Sequence, residues 1–287
     1  MNRSILVTGA SGFVGRRFIE LTYNRLKINT VSLQSSKIED VDFGGVDTVL
    51  HLAGIAHRME KTEDQLYYDV NYELTKSLAL QAKNAGVKHF VFMSTIKVYG
   101  DHYDHLTLET LCLPNDAYGK SKLLAEEYLN ELNSDTFKVA VIRPPLIYGP
   151  AVKGNMARLI RLVETKSYIP LGGIENQRSM VSIDNLIQLI LLIIEKESSG
   201  VYLIQDEKPI STSQLLAEII NAKKSKTKLI RIPNIVKWVI RLIKPEVYHR
   251  IFGSLVVDDS QTKKLLNYKS LETTSEGILK MIKSKKQ

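Results

Sequence analysis

A single cysteine, Cys112, occurs in 287 residues. Its isolation excludes an internal disulfide framework and fits a reducing compartment. Long apolar runs are missing as well. The most apolar stretch, Leu186 to Ile194, falls short of the ~20 residues that span a bilayer. Met1-Asn-Arg-Ser leads directly into the apolar Ile5-Leu-Val and leaves no room for a signal peptide. A soluble, cytoplasmic protein is expected. Zinc-ligand spacing, the aromatic signature of RNA binding and a helix-turn-helix pattern are all absent. No metal is therefore expected, and the formal net charge of +8 is not read as a nucleic-acid footprint. Much of that charge sits at Lys223-Lys-Ser-Lys-Thr-Lys and Lys283-Ser-Lys-Lys, which read as solvated surface.

The hydrophobic content of 44% is that of a folded globular chain. Short apolar runs alternate with longer helical patterns through the first half. Strands are expected at Ser4 to Thr8, Asn29 to Leu33, Asp47 to Ala53, Lys88 to Ser94 and Lys138 to Arg143. Helices are expected at Phe13 to Arg25, Asp69 to Ala85 and Ala117 to Leu132. This alternation predicts right-handed βαβ units and an α/β fold built on a Rossmann-like, doubly wound parallel sheet. After Pro150 the pattern loosens. Helices at Asn155 to Glu164, Asp184 to Glu195 and Ser213 to Ile220, with a strand at Val201 to Ile204, suggest a smaller C-terminal lobe. The division expected is 1–150 for cofactor and 151–287 mainly for substrate, with some elements of the second part returning to the sheet.

Thr8-Gly9-Ala10-Ser11-Gly12-Phe13-Val14-Gly15 lies between the first strand and the first helix. Glycines here let the backbone pass close to a pyrophosphate, and the helix start presents free amides to the anion. The context of strand, turn and helix makes this a dinucleotide site, involving Gly9, Gly12, Phe13, Val14, Gly15 and Arg16. NAD sites usually place a carboxylate at the end of the second strand. Here Val31-Ser-Leu-Gln-Ser-Ser-Lys37 has none before Glu39, and Arg16 and Arg17 follow the last glycine. NAD or NADP is expected, with NADP mildly favoured.

Tyr118-Gly-Lys-Ser-Lys122 puts a phenol and an ammonium four residues apart, on one face of a helix. A phenol with its ordinary pKa of about 10 is a poor acid–base catalyst at neutral pH. A nearby ammonium, aided by an oxidised nicotinamide, is expected to favour the phenolate. Ser94 and Thr95 end the strand Lys88 to Ser94, where open α/β sheets bind their ligands.

The glycine turn, His51-Leu-Ala-Gly54, Val70-Asn71, Ser94-Thr95-Ile-Lys-Val-Tyr-Gly100, Tyr118-x-x-x-Lys122, Arg143-Pro-Pro-Leu-Ile-Tyr-Gly-Pro150 and Arg178-Ser-Met-Val-Ser-Ile-Asp-Asn185 resemble the extended short-chain dehydrogenase/reductase superfamily. More narrowly, they resemble its nucleotide-sugar epimerase/dehydratase/reductase branch, and the resemblance continues to Val257-Asp-Asp-Ser260 and Leu266-Asn-Tyr268. It implies a Thr95–Tyr118–Lys122 catalytic triad, with Leu52, Ala53, Gly54, Asn71, Ser94 and Pro145 beside the cofactor. It also implies Thr95, Asn155 and Arg178 beside a UDP-sugar, a homodimer, and a role in surface polysaccharide synthesis. Dehydratases of this branch carry Asp-Glu after the catalytic Thr, where this chain has Ile96-Lys97, so dehydration is not expected. There remain 4-epimerisation of a UDP-hexose or UDP-N-acetylhexosamine and reduction of a 4-keto sugar. A catalytically silent cofactor sensor or binding protein is the alternative. The branch's epimerases often have Asn where Leu146 stands, and a longer lobe. In Asn234 to Lys244, Lys237, Arg241 and Lys244 share one helical face. This helix is expected to bury its wide apolar face in the lobe, the alternative being weak association with a membrane surface.

Overall fold

A computed structural model describes residues 3–33, 38–55 and 63–284. Its centre is a six-stranded, all-parallel sheet. The strands are β1 (Ser4–Thr8), β2 (Lys27–Val31), β3 (Thr48–His51), β4 (His89–Met93), β5 (Lys138–Arg143) and β6 (Gly200–Leu203). Their order across the sheet is β2-β1-β3-β4-β5-β6. Strands β1, β3 and β4 are buried at every residue, as near-continuous apolar runs in a sheet covered on both faces must be. Successive side chains point to opposite faces, and the two cores follow that alternation. Ile5, Val7, Val91 and Ile142 pack under Phe18, Leu186 and Ile190. Leu6, Val49, Phe90 and Val141 pack on the other side under Leu78, Ala125 and Leu129. The apolar stretch Leu186 to Ile194 belongs to the helix Ile183–Lys196, which lies against the sheet.

The expected alternation holds, with shifts at element ends. The first helix, Phe13–Thr22, stops short of Arg25. The Thr22 hydroxyl donates to Phe18 O at 2.6 Å within its last turn. Residues Leu52 to Gly54 leave β3 and form a loop. The second long helix starts at Asp64 and includes one wide π-turn, Asp69–Glu73, before Leu74–Asn84. Such turns are frequent at functional sites, and this one carries Asn71. Gly200–Leu203 returns from the second half of the chain to pair in parallel with β5.

Much of the second half of the chain builds a third core, in which Met156, Ile160, Leu216, Ile219, Ile278 and Met281 meet. Phe13 packs against both this core and the first, so the cofactor-turn helix touches the lobe. Two short parallel pairs, Leu146–Tyr148 with Met180–Ser182 and Tyr168–Gly172 with Lys228–Arg231, frame it. The expectation for Asn234 to Lys244 is overturned. The helix Asn234–Ile243 forms, but none of its residues is buried. Its apolar face points to solvent because the side turned toward the neighbouring helix Pro245–Phe252 carries Lys237 and Arg241 over aromatic rings.

Two glycines separate backbone strain from close approach. Gly9 has φ +69°, and a Cβ there would lie 2.6 Å from Ala53 N. Gly86 has φ +84° with open space around it. Gly86→Ala should cost about 1 kcal/mol, the left-handed strain alone. Gly9→Ala should cost at least about 2 kcal/mol and abolish dinucleotide binding. Urea unfolding of both variants measures the difference, and equal losses would refute the close approach.

Candidate active site

The strand order reverses at β1, whose neighbours are β2 and β3, so the crevice beyond this point is where an open α/β sheet takes a ligand. The glycine turn occupies it. Gly12 N donates to Gly9 O at 2.9 Å. A Cβ on Gly15 would lie 2.3 Å from Gly9 O, so the helix can seat on the turn only without one. Gly12 caps that helix without a side chain, and no carboxylate sits in its first turn. Its first amides therefore suit an anion. A cleft of about 250 Å³ opens here between Gly12, Phe13 and Arg16 on one side and Ile147, Val152 and Lys153 on the other. These residues fit a dinucleotide pyrophosphate. A larger hollow of about 320 Å³ lies by Leu123, Glu127, Asn130 and Gly200, and holds none of the expected site residues.

The floor of the crevice is a chain of hydrogen bonds with one consistent direction. Thr75 Oγ1 donates to Asn71 O at 2.9 Å, so it accepts from His51 Nε2, 2.9 Å away. His51 Nδ1 then accepts from Thr8 Oγ1 at 2.7 Å, which in turn accepts from Ala53 N at 3.2 Å. Burial lowers the His51 pKa to about 3, with the Lys122 charge adding to the effect. The ring is neutral and structural. The Asn71 amide pairs with the Ile55 peptide, accepting from its N at 2.8 Å and donating to its O at 3.1 Å. It also donates to Ser121 Oγ at 3.2 Å. Asn71 thus shapes the loop Leu52 to Gly54 from below.

Tyr118 and Lys122 project from the inner face of the helix Ala117–Leu132. The Lys122 ammonium is buried, donates to Met93 O at 2.9 Å and lies 4.4 Å from the Phe92 ring centroid. A Cβ on Gly54 would meet Asn71 Oδ1 at 2.9 Å and Lys122 Nζ at 3.2 Å. Gly54, Asn71 and Lys122 therefore meet at one point. Burial brings the Lys122 pKa down to about 8, opposed only by the Glu126 charge. Burial also pushes the Tyr118 phenol up to about 12, against a hydrogen bond with Thr95 that lowers it. Asp116 and Tyr67 add to the rise, so the protein's own groups hold Tyr118 as a phenol, and the expected shift toward phenolate rests on the nicotinamide charge that was part of that expectation.

Thr95 is buried, and its hydroxyl also accepts from Lys97 N at 3.2 Å, capping the turn Ile96–Tyr99. Ser94 turns elsewhere, donating its hydroxyl to Glu126. Glu126 is held by the Arg143 guanidinium, with Nε at 3.0 Å from Oε2, and Arg143 Nη1 donates to Tyr99 Oη at 2.7 Å. Glu126 escaped the sequence reading, yet it continues the stripe of Tyr118 and Lys122 at a further four residues, on the same helical face. Pro145 is buried next to Pro144, whose carbonyl accepts from Ile96 N at 3.2 Å.

Of the three expected substrate residues, Thr95 lies in this cluster and the other two lie apart from it. Asn155 is exposed in the first turn of the helix Gly154–Thr165, which follows Lys153 of the cleft. Arg178 donates from Nη1 to Gly253 O at 3.0 Å. Arg17, read with Arg16 as a sign of a 2′-phosphate, is committed elsewhere. Its guanidinium pairs bidentately with Asp184 at 2.8 and 2.9 Å. Arg16 remains exposed at the cleft, while Gln34 to Lys37 fall outside the described residues.

Arg17→Ala should destabilise the fold by about 1–3 kcal/mol through the half-open Asp184 pair, and leave the preference between NAD and NADP unchanged. Thermal unfolding and titration with both dinucleotides check the two halves. Lys122 supplies a pH test. Its folded pKa lies below the ordinary 10.5, so its penalty on the fold is complete below pH 8 and fades as pH rises toward 10.5. Wild-type stability relative to Lys122→Met should therefore rise by about 2 kcal/mol between pH 7.5 and 10. A flat difference would show that the lysine is not desolvated.

Residues 5–204 match the family described as "NAD dependent epimerase/dehydratase family". A UDP-glucose 4-epimerase of Vibrio cholerae is 34% identical, over 97% of this chain and 94% of that protein. The N-acetyl-alpha-D-glucosaminyl-diphospho-ditrans,octacis-undecaprenol 4-epimerase of Escherichia coli O157:H7 is 30% identical, over 81% of this chain and 76% of that one. The crystal structure of UDP-glucuronic acid 4-epimerase from Bacillus cereus in complex with NAD superimposes with a TM-score of 0.78, covering 99% of both chains at 20% identity. A glycine turn at the switch point, a tyrosine and a buried lysine on one helix face and a matched span of residues 5–204 converge on one assignment: the chain belongs to the NAD-dependent epimerase/dehydratase family.

Proposed function

We propose that this protein is an NAD(P)-dependent 4-epimerase of a sugar diphosphate, with a UDP-hexose or UDP-N-acetylhexosamine as the substrate. The observation that carries this reading is the grouping of Thr95, just past the carboxyl end of β4, with Tyr118 and Lys122 at the amino end of the helix beside it, and with Ile96-Lys97 following Thr95. Ile96 is buried, and Lys97 is held by Asp101 at 2.6 Å. Neither can eliminate water, which argues against dehydration. Between epimerisation and reduction, two relatives at 30% identity or more are 4-epimerases by name, which favours epimerisation.

Gly9, Gly12 and Gly15 would admit the pyrophosphate, Phe13, Val14 and Arg16 would flank it, and Leu52 to Gly54 would line the far side. When bound, the oxidised dinucleotide would accept a hydride from C4 and return it to the opposite face. Tyr118 Oη takes the C4 hydroxyl proton and gives it back, and Thr95, hydrogen-bonded to Tyr118, orients that exchange. At neutral pH Lys122 is still largely charged, since its pKa stands at about 8. Its cation is placed to hold a ribose hydroxyl and to favour the phenolate once a second positive charge, that of the nicotinamide, is nearby. NAD is the simpler choice now that Arg17 is occupied by Asp184. The lobe of residues 151–287 would hold the sugar diphosphate, with Lys153 lining the cleft, Asn155 in the helix turn after it and Arg178 in the segment before the strand Met180–Ser182. Surface polysaccharide synthesis is the setting that such a sugar suits.

Tyr118→Phe should lower kcat by at least about 10³-fold while dinucleotide affinity changes by less than about three-fold. Wild-type enzyme with a UDP-hexose should interconvert C4 epimers without net change in cofactor absorbance. Stoichiometric consumption of NADPH with a 4-keto sugar, and no epimer exchange, would establish a reductase instead. Dinucleotide binding without either reaction would point to a silent sensor.

A further inference from the structure

The helix Asn234–Ile243 and its neighbour Pro245–Phe252 form a hairpin whose exposure is inverted. Trp238 is 58% exposed, Leu242 61% and Ile243 70%, with Ile235 and Val239 on the same side. On a helix these five fall within one wide stripe. The opposite side holds Lys237 and Arg241, whose charges lie 5.8 and 5.7 Å from the ring centroids of Phe252 and Tyr248. A contiguous apolar face of this kind on a soluble surface marks an interaction site.

Charge identifies the partner. Residues 223–250 hold nine of the 39 Lys and Arg and one of the 31 Asp and Glu. The entire formal net charge of +8 therefore sits in this one segment, and the rest of the chain is neutral. Two copies meeting through this face would bring two such segments together, which opposes self-association. A nucleic acid would satisfy the charge and leave Trp238, Leu242 and Ile243 in water. An anionic lipid surface satisfies both features, since the apolar stripe enters the acyl boundary and the cations meet the headgroups. Among the described residues no helix is long and apolar enough to cross a membrane, so the contact is interfacial.

We propose that the hairpin of residues 234–252 docks this protein on an anionic bilayer surface. The hairpin is bolted to the lobe at its end. Asn176 Nδ2 donates to Gly253 O at 2.9 Å, Arg178 Nη1 to the same carbonyl at 3.0 Å, and Thr212 Oγ1 to Ile251 O at 2.9 Å. The segment that carries Arg178 is thereby held next to the membrane-facing element. That arrangement would suit a sugar diphosphate presented from a lipid as well as one carried by a nucleotide.

Trp238 is the only tryptophan in the chain, so its fluorescence reports on this face alone. Full-length protein should co-sediment with vesicles of phosphatidylglycerol and phosphatidylcholine, with a blue shift of Trp238 emission, and not with phosphatidylcholine alone. Leu242→Glu with Ile243→Glu should abolish both signals. Arg241→Gln with Lys244→Gln should weaken binding by about ten-fold or more, as should high salt. Circular dichroism and dinucleotide affinity, unchanged in these variants, keep misfolding apart from lost docking. The proposal is overturned if the wild type ignores anionic vesicles or binds neutral ones equally. It is also overturned if Trp238 shifts with protein concentration alone and the double glutamate variant turns a dimer into a monomer, which would make the face a subunit contact. Vesicle binding does not depend on turnover, so an inactive enzyme that docks and an active one that does not remain distinct outcomes.

Discussion

Lys122 is a cation held away from water by a carbonyl, an aromatic face and the backbone of a glycine. A buried ammonium with so few partners is unfavourable, as its lowered pKa records. The structure around it is arranged to keep it there. Gly54 has no side chain because the space belongs to Nζ and to Asn71 Oδ1. Asn71 sits in a wide helical turn from which its amide can reach the Ile55 peptide and Ser121 together. Glu126, one turn on, provides the compensating charge and is itself held by Arg143 and Ser94. The site is thus a strained electrostatic arrangement supported from below by neutral hydrogen bonds.

Much of the motif pattern turns out to be that support. Tyr148 donates to Asp206 at 2.6 Å, and Asp206 also accepts from Ser182 N and from Asn185 Nδ2. Asn185 in turn accepts from the Leu271 and Glu272 amides. Tyr148, Ser182 and Asn185, from the segments Arg143 to Pro150 and Arg178 to Asn185, therefore knot the lobe to residues 271–272. His51 is the same kind of residue. Its neutral ring ties the ends of β1 and β3 to the helix carrying Asn71. A motif residue that bears a titratable group need not titrate in the working range.

The alternating pattern of the first half was legible because buried parallel strands must be apolar throughout and their crossover helices must be amphipathic. Ends were less so. Leu52 and Ala53 read as strand since their composition continues that of β3, but the ladder with β1 ends at Thr8 and His51, where Gly9 turns the chain at φ +69°. The stripe of Tyr118 and Lys122 was visible as a spacing, whereas its third member, Glu126, has meaning only beside Arg143 on β5. Arg17 read, with Arg16, as a mild sign of a 2′-phosphate because it follows the glycine turn. Its true partner, Asp184, lies 167 residues away in sequence.

The sequence by itself determined the class of the fold, the glycine turn and the tyrosine–lysine pair, because each depends on local spacing and on steric limits that hold in any chain. Only the tertiary structure decided the state of that pair. Desolvation depends on what packs around a group, and here it raises the phenol and lowers the ammonium, contrary to what their spacing alone suggests. Tertiary structure also decided which way the helix Asn234–Ile243 faces. Periodicity defines an apolar stripe but not its direction, and that direction is set by the two aromatic rings of the neighbouring helix that take its cations.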